Sequence, residues 1–397
     1  MRIADLLVID LSTLAAAPQV ATFFGDLGAR VVKVEHPRGD ALRRLVDAGG
    51  APLQWKIVNR NKECMTLDPA LVDDRVILER LLSRADLLVA NMTAERLARH
   101  GLDERSLRDR HPRLVAVNLT TWGTTGPWSD RPGSGTLAEA ASGLASLTGP
   151  ADAPPGLSPV GLGDHLGVMQ GIIAALVALL ARDRSASAPA GRGDRRAGDP
   201  TDTALPAVGF HDIAMLDPLL SLLSSRIAAA LRDGVDPPRS GNRFPTVAPR
   251  NVYRTADGRW VALTAGTDEL ARRTFEVVGR PELADDPRFA DNRSRVRHAD
   301  ELDRVVGDWI AERGRDEVVE CFVRARVSLA AVETPSEVAA NPQVHARGGF
   351  VELDDPETGR VVLPAPPLGG SIRWLGRALG ADDAVLRAWL AGEVTGD

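Results

Sequence analysis

An α/β fold built on a parallel, doubly wound sheet, with a second, smaller α+β domain, is what this chain of 397 residues predicts. Three observations predict it. The first 120 residues alternate short apolar runs with amphipathic helical stretches, as strands joined by crossover helices do. The strand runs are continuous and rich in Val, Ile and Leu, the composition of strands buried on both faces. After about residue 208 the alternation stops, and helices with a few hairpin strands take over.

In order, "LLVIDLS" reads as the first strand and "APQVATFFGDLGA" as the helix behind it. "RVVKVE" and "CMTLD" are the next strands, "DDRVILERLLSRA" a helix, "DLLVANM" a strand, and "RLVAVNLT" a strand after two short helical pieces. The segment 183–207, rich in Ala, Gly, Pro and mixed charge, reads as a mobile surface connection. In "NVYRTADGRWVALTA" the "ADG" marks a hairpin turn, and 299–327 forms one long helical stretch. The last 65 or so residues return to strands, with "ETGR" as another turn. A chain of this length exceeds one ordinary core. The expected division is 1–207 for the large domain, 208–325 for the small one, and 326–397 returning to the large domain.

A formal charge of −6 and a pI near 5.7 supply no clustered positive field, so nucleic acid is not an expected partner. The two cysteines, Cys64 and Cys321, form neither a disulfide framework nor a C-x-x-C pair, which suits a reducing cytoplasm. The N-terminus reads as a strand and not as a signal peptide. The longest apolar run, 166–181, falls short of the 18 to 20 or so residues that a membrane span needs. With seven scattered histidines and no H-x-x-x-H pair, no metal site is expected.

Asp164 stands out as a lone carboxylate at the head of that apolar run, in "GLGDHLG". One reading is a helix N-cap. The other is a carboxylate kept ionised by the helix dipole and free to act as a nucleophile. Gly163, Gly167 and Gly171 recur every four residues and line one helix face, open to another backbone or a narrow ligand. The glycine cluster is not the dinucleotide fingerprint, because its spacing is G-x-G-x-x-x-G and no strand runs directly into it.

A second candidate, "VVKVEHPRGDALRR", places His36, Arg38, Arg43 and Arg44 after a strand, where ligands of open α/β sheets sit and where arginines suit phosphate. Solvated surface charge is the alternative. Asn91, Arg96 and Arg99 follow another strand, and the Gly/Thr-rich loop "TTWGTTGPWSDRPGSG" follows a third.

Together, "VIDLSTLAAAPQVATFFGDLGARVVKVEHPRGD", "NRNKECMTLD", "ADLLVANMTAERLARHGLDERSLRDRHPRLVAVNLT", "WGTTGPWSDRPG" and "GDHLGVMQGIIAALVALLAR" resemble the class III coenzyme A transferases. This CaiB/BaiF group includes formyl-CoA transferase, carnitine CoA-transferase and α-methylacyl-CoA racemase. The resemblance spans essentially the whole chain. It implies a Rossmann-like large domain made from both chain ends, an interlocked homodimer, and transfer of CoA between carboxylic acids. Acyl-CoA would be a substrate, with no tightly bound cofactor. Asp164 falls on the family's nucleophilic aspartate, and the glycine face would make room for thioester and pantetheine. By position the CoA contacts are Leu14, His36, Arg38, Leu67, Asn91, Met92 and Arg99. Two departures matter: Ala15 stands where formyl-CoA transferase has glutamine, and Ser134 and Gly135 replace the Tyr/His and acidic pair of relatives. A racemase or isomerase on the same scaffold, or a non-catalytic CoA-binding subunit, are the alternatives.

Overall fold

A computed structural model describes residues 2–46, 50–187 and 209–392. The chain divides into two compact units, one of Met1–Leu144, Leu157–Ala228 and Gly348–Asp397, the other of Ala145–Gly156 and Ala229–Arg347.

The first unit holds a six-stranded sheet: β1 Leu7–Asp10, β2 Arg30–Glu35, β3 Lys62–Thr66, β4 Leu87–Ala90, β5 Val115–Thr120 and β6 Gly209–Ala214. Their order is β3-β2-β1-β4-β5-β6, and all five pairings are parallel. The order reverses direction between β1 and β4, which makes the carboxyl end of β1 the switch point where ligands of such sheets bind.

Alternate residues of each strand feed two cores, because successive side chains point to opposite faces. Val8, Val31, Val89 and Val117 pack with the helices Ala17–Asp26 and Leu162–Ser187. Ile9, Val32, Met65 and Leu88 pack with Val72–Leu82 and the C-terminal helix Asp383–Ala391. A fully buried side chain such as Phe24, 0% exposed, contributes roughly 1.5 to 3 kcal/mol. The C-terminal helix is tied to β3 through its first residues. Asp382 accepts the Cys64 N–H at 2.7 Å, and Asp383 accepts the Thr66 N–H at 2.7 Å. A hairpin, β10 Phe350–Asp355 and β11 Gly359–Pro364, precedes that helix and turns at Gly359, where φ is 71°.

Several elements differ from the sequence reading. Residues 209–228, assigned there to the small domain, supply β6 at the sheet edge and the helix Leu216–Leu222 against it. The apolar helix runs to Ser187, absorbing the start of the expected connection; 188–207 lie outside the described residues. Its portion Leu162–Arg184 is long and apolar enough to cross a membrane by length and composition, yet Ala174, Ala175, Ala178 and Leu179 are buried in the sheet core.

The second unit has a three-stranded antiparallel sheet, with β7 Arg250–Arg254, β8 Trp260–Thr264 and β9 Leu329–Ala331. The expected "ADG" turn joins β7 to β8, with Gly258 at φ 77°. The long helical stretch is two helices, Ala299–Ala311 and Arg315–Arg324. Backbone polar groups break it: the Arg313 carbonyl accepts the Ala256 N–H at 2.9 Å, and Asp257 accepts the Arg315 N–H at 3.1 Å. Leu302, Val306, Ile310, Val318 and Phe322 of these helices close over Val261 and Leu263.

Candidate active site

The loop after β1, residues 11–16, lies at the switch point and is held from beneath by buried charge. Asp10 ends β1, and its carboxylate accepts the Ser12 N–H at 2.9 Å and hydroxyl at 2.5 Å. Lys62 donates to Asp10 at 2.8 Å, to the Pro18 carbonyl at 2.8 Å and to Asn59 at 3.0 Å. Lys33 lies 3.6 Å from Asp10 and 3.9 Å from Asp40, and donates to the Ser12 carbonyl. All of these ionised groups are buried. Burial is the largest influence on Asp10 and would raise its pKa, but Lys33, Lys62 and the hydrogen bonds together hold it below the usual range. Burial drags Lys62 down to about 8 against the opposing pull of Asp10.

Asp40 in turn accepts the Leu14 N–H at 3.0 Å. Leu14 sits at φ 65°, a left-handed conformation that costs a branched-chain residue about 1 to 3 kcal/mol. Thr13 and Asn91 exchange two bonds: the Thr13 N–H reaches Asn91 Oδ1 at 3.0 Å, and Asn91 Nδ2 reaches the Thr13 carbonyl at 2.9 Å.

Two cavities flank this loop. One, of about 350 Å³, is lined by Thr13, Leu14, Asn91, Arg131, Ser134 and Asp164, among others. The other, of about 190 Å³, lies over the ends of β1, β2 and β4 and includes Thr13, His36, Leu67, Arg75, Met92 and Arg96. Thr13 lines both.

The structure therefore gathers most of the residues singled out from sequence. Leu14 and Asn91 join Asp164, while His36, Leu67 and Met92 share the smaller cavity. Arg38 and Arg99 line neither. Arg38 is exposed, its backbone N–H bonded to His36 Nδ1 at 3.0 Å, and Arg99 pairs with Glu95 at 2.5 Å. Arg96 and Arg75 are the arginines on the cavity wall. Arg43, a phosphate candidate by sequence, is spent on Glu35 in a two-point contact at 2.9 and 2.7 Å, with its guanidinium 3.8 Å from the Trp55 ring centre.

Asp164 is not an N-cap. The helix begins at Leu162, which puts Asp164 in its first turn, and its Oδ1 accepts a hydrogen bond from the Gly135 N–H at 3.2 Å. The Gly163 N–H goes instead to the buried carboxylate of Glu139 at 3.1 Å. Nor does the helix start settle the charge of Asp164. Burial lifts its pKa above the ordinary 3.8, Glu139 adds to the rise, and the Gly135 N–H and His165 oppose it, leaving a net increase.

The glycine face is packed by protein and not open to a ligand. A Cβ on Gly163 would meet the Gly135 carbonyl oxygen at 2.5 Å, one on Gly167 the Met215 side chain at 2.9 Å, and one on Gly171 Val20 at 3.1 Å. Backbone approach is what these glycines permit. Glu139, inside the Ala-rich "TLAEAAS", escaped the sequence reading; an acidic residue among small apolar ones on a short helix was its only signal.

A model of CoA-transferase family III matches residues 3–205 and 207–373. The chain is 31% identical over 384 residues to the succinyl-CoA–D-citramalate CoA-transferase of Chloroflexus aurantiacus, which covers 95% of this chain and 90% of that protein. It is 33% identical over 391 residues to the beta subunit of the succinyl-CoA–L-malate CoA-transferase of the same organism, with 96% and 92% covered. A CAIB/BAIF family protein from Brucella suis shares the fold at a TM-score of 0.80 and 28% identity, over 98% of this chain and 99% of that one. With its parallel sheet, its Asp164 cavity and these likenesses over nearly its whole length, the chain belongs to CoA-transferase family III and is an enzyme of that family.

Proposed function

We propose that the chain moves CoA from an acyl-CoA to a free carboxylic acid, with Asp164 as the covalent nucleophile. The carboxylate attacks the thioester carbon, the C–S bond breaks, and a mixed anhydride and CoA thiolate result. The thiolate then attacks the Asp164 acyl carbon, releasing the donor acid and leaving an aspartyl-CoA thioester. An acceptor carboxylate attacks that thioester, and the thiolate returns to the acceptor's acyl carbon, regenerating Asp164. Each step is an acyl transfer of modest barrier, which is the benefit of covalent catalysis. The Gly135 N–H, 3.2 Å from Oδ1, is placed to receive the charge that grows on that oxygen when the Asp164 carbon becomes tetrahedral.

The observation that carries this reading is a half-buried carboxylate on the wall of a cavity of about 350 Å³ that shares Thr13 with a second cavity. A long, narrow thioester suits such a pair: the acyl end at Asp164, and the nucleotide end by His36, Leu67 and Met92 with Arg75 and Arg96 for its phosphates. The Chloroflexus relatives, named for succinyl-CoA, citramalate and malate, support small organic acids as substrates. Met169, Ile173, Val177 and Leu180 stand exposed along the Asp164 helix, a stripe that a second copy of the chain would cover, in keeping with a homodimer.

Incubation with succinyl-CoA, quenching in hydroxylamine and peptide mass spectrometry tests the chemistry. The expected mark is at Asp164 and is lost in Asp164→Asn. Exchange of labelled CoA that survives Asp164→Asn overturns the covalent route.

A further inference from the structure

We propose that Arg131 is the specificity-determining residue for the acid, selecting one that carries a second carboxylate beyond the one that receives CoA. The proposal rests on the transfer reading above and names its substrate class.

Among the described residues lining the Asp164 cavity, two side chains are ionisable, Asp164 and Arg131. The rest are apolar, hydroxyl, indole or amide groups. No carboxylate among the described residues pairs with Arg131, and it does not pair with Asp164. An aromatic platform holds it instead. Its guanidinium carbon lies 4.7 Å from the Trp128 ring centre, and Trp128 meets Trp122 edge to face at 5.0 Å. Trp122 donates its ring N–H to the Pro132 carbonyl at 3.3 Å, and the Arg131 N–H bonds the Trp128 carbonyl at 2.9 Å. The loop is tied down at both ends. Thr124 bonds Asp212 through its N–H and hydroxyl, each at 2.7 Å, and Gly133 packs so closely on Thr121 that no side chain fits there.

A guanidinium held by ring faces keeps its in-plane N–H groups free for a carboxylate. The attacking carboxylate is a poor candidate for that partner, because pairing it with Arg131 would withdraw the electron density it needs. A second carboxylate suffers no such conflict.

The test compares succinate with butyrate as acceptor, using one acetyl-CoA donor, in the wild type, Arg131→Gln and Arg131→Lys. Arg131→Gln should lower kcat/KM for succinate about 100-fold, the scale of a lost charge-assisted pair, and for butyrate less than about threefold. Arg131→Lys should restore part of the succinate preference. Equal losses for both acids, or no preference in the wild type, overturn the proposal. If no acid accepts CoA and Asp164 takes no acyl group, the transfer reading fails, and calorimetric titration of the CoA-saturated protein decides. Succinate binding that butyrate lacks and Arg131→Gln abolishes upholds the anchor; no such difference overturns it.

Discussion

Gly135 and Asp164 touch through backbone and carboxylate. The Gly135 N–H donates to Oδ1 at 3.2 Å, and a methyl group at position 135 would lie 2.4 Å from the Asp164 backbone nitrogen and 2.5 Å from its carboxyl carbon. Since one of those contacts is with backbone, side-chain rotation cannot relieve both. Gly135→Ala should displace Asp164 from its place in the cavity and lower kcat about 100-fold, as a misplacement near 1 Å does. Overpacking of about 1 to 3 kcal/mol should lower the melting temperature by several degrees while unfolding stays cooperative. Steady-state kinetics and calorimetry check both halves.

Glu139 faces Asp164 with like charge and takes the Gly163 N–H. Glu139→Gln keeps an oxygen to accept that bond and removes the charge, so the Asp164 pKa should fall. The acid limb of the kcat/KM profile then moves to lower pH, and a limb that stays in place contradicts the coupling.

Asp164 should also oppose stability at neutral pH. Its folded-state pKa is raised above 3.8, so the folded chain holds that proton more tightly than the unfolded one. The stability linked to the group is full below pH 3.8 and is lost as pH rises through the raised value. Asp164→Asn should therefore melt higher than wild type at pH 7 and show a smaller gain near pH 4, measured by thermal unfolding across that range.

Leu14 keeps a left-handed backbone at the cavity wall and is 48% exposed. Leu14→Gly relieves the backbone and removes an apolar contact for a ligand. The expected result is a melting temperature at or above that of wild type together with a roughly tenfold higher KM for acyl-CoA, a few buried methylene groups' worth of contact. A lower melting temperature with unchanged KM would assign Leu14 to packing alone.

Lys62→Met leaves buried Asp10 with Lys33 at 3.6 Å and no close partner from β3. Removing one member of a buried pair costs about 3 to 5 kcal/mol. Urea denaturation should show that loss. Lys62→Met with Asp10→Asn should recover much of it, because Lys33, the buried cation left behind, still has Asp40 at 3.9 Å.

The parallel sheet was legible because each strand carries its own β-branched run and each helix its own periodicity. β6 was not: "GFHDIA" is an edge strand of mixed polarity, and only its pairing with β5 marks it as part of the sheet. Asp164 was legible as a lone charge at the head of an apolar helix. That it is not the N-cap was not legible, because the helix begins two residues earlier, at Leu162, and the N–H groups that a cap at 164 would take are already inside the helix. Arg96 and Arg99 lie three residues apart on one short helix, and nothing local told which would face the cavity.

From the amino-acid order alone came the alternation of elements, the family likeness and the charged residue at the mouth of the long helix, since periodicity and motif are properties of neighbours in the chain. Tertiary structure decided what surrounds them. Gly135 lies 29 residues from Asp164, Lys62 lies 52 from Asp10, and Asn91 lies 78 from Thr13. Contacts of that span depend on strand order and register, and burial, which sets the Asp164 and Lys62 pKa values, exists only once the chain has folded around them.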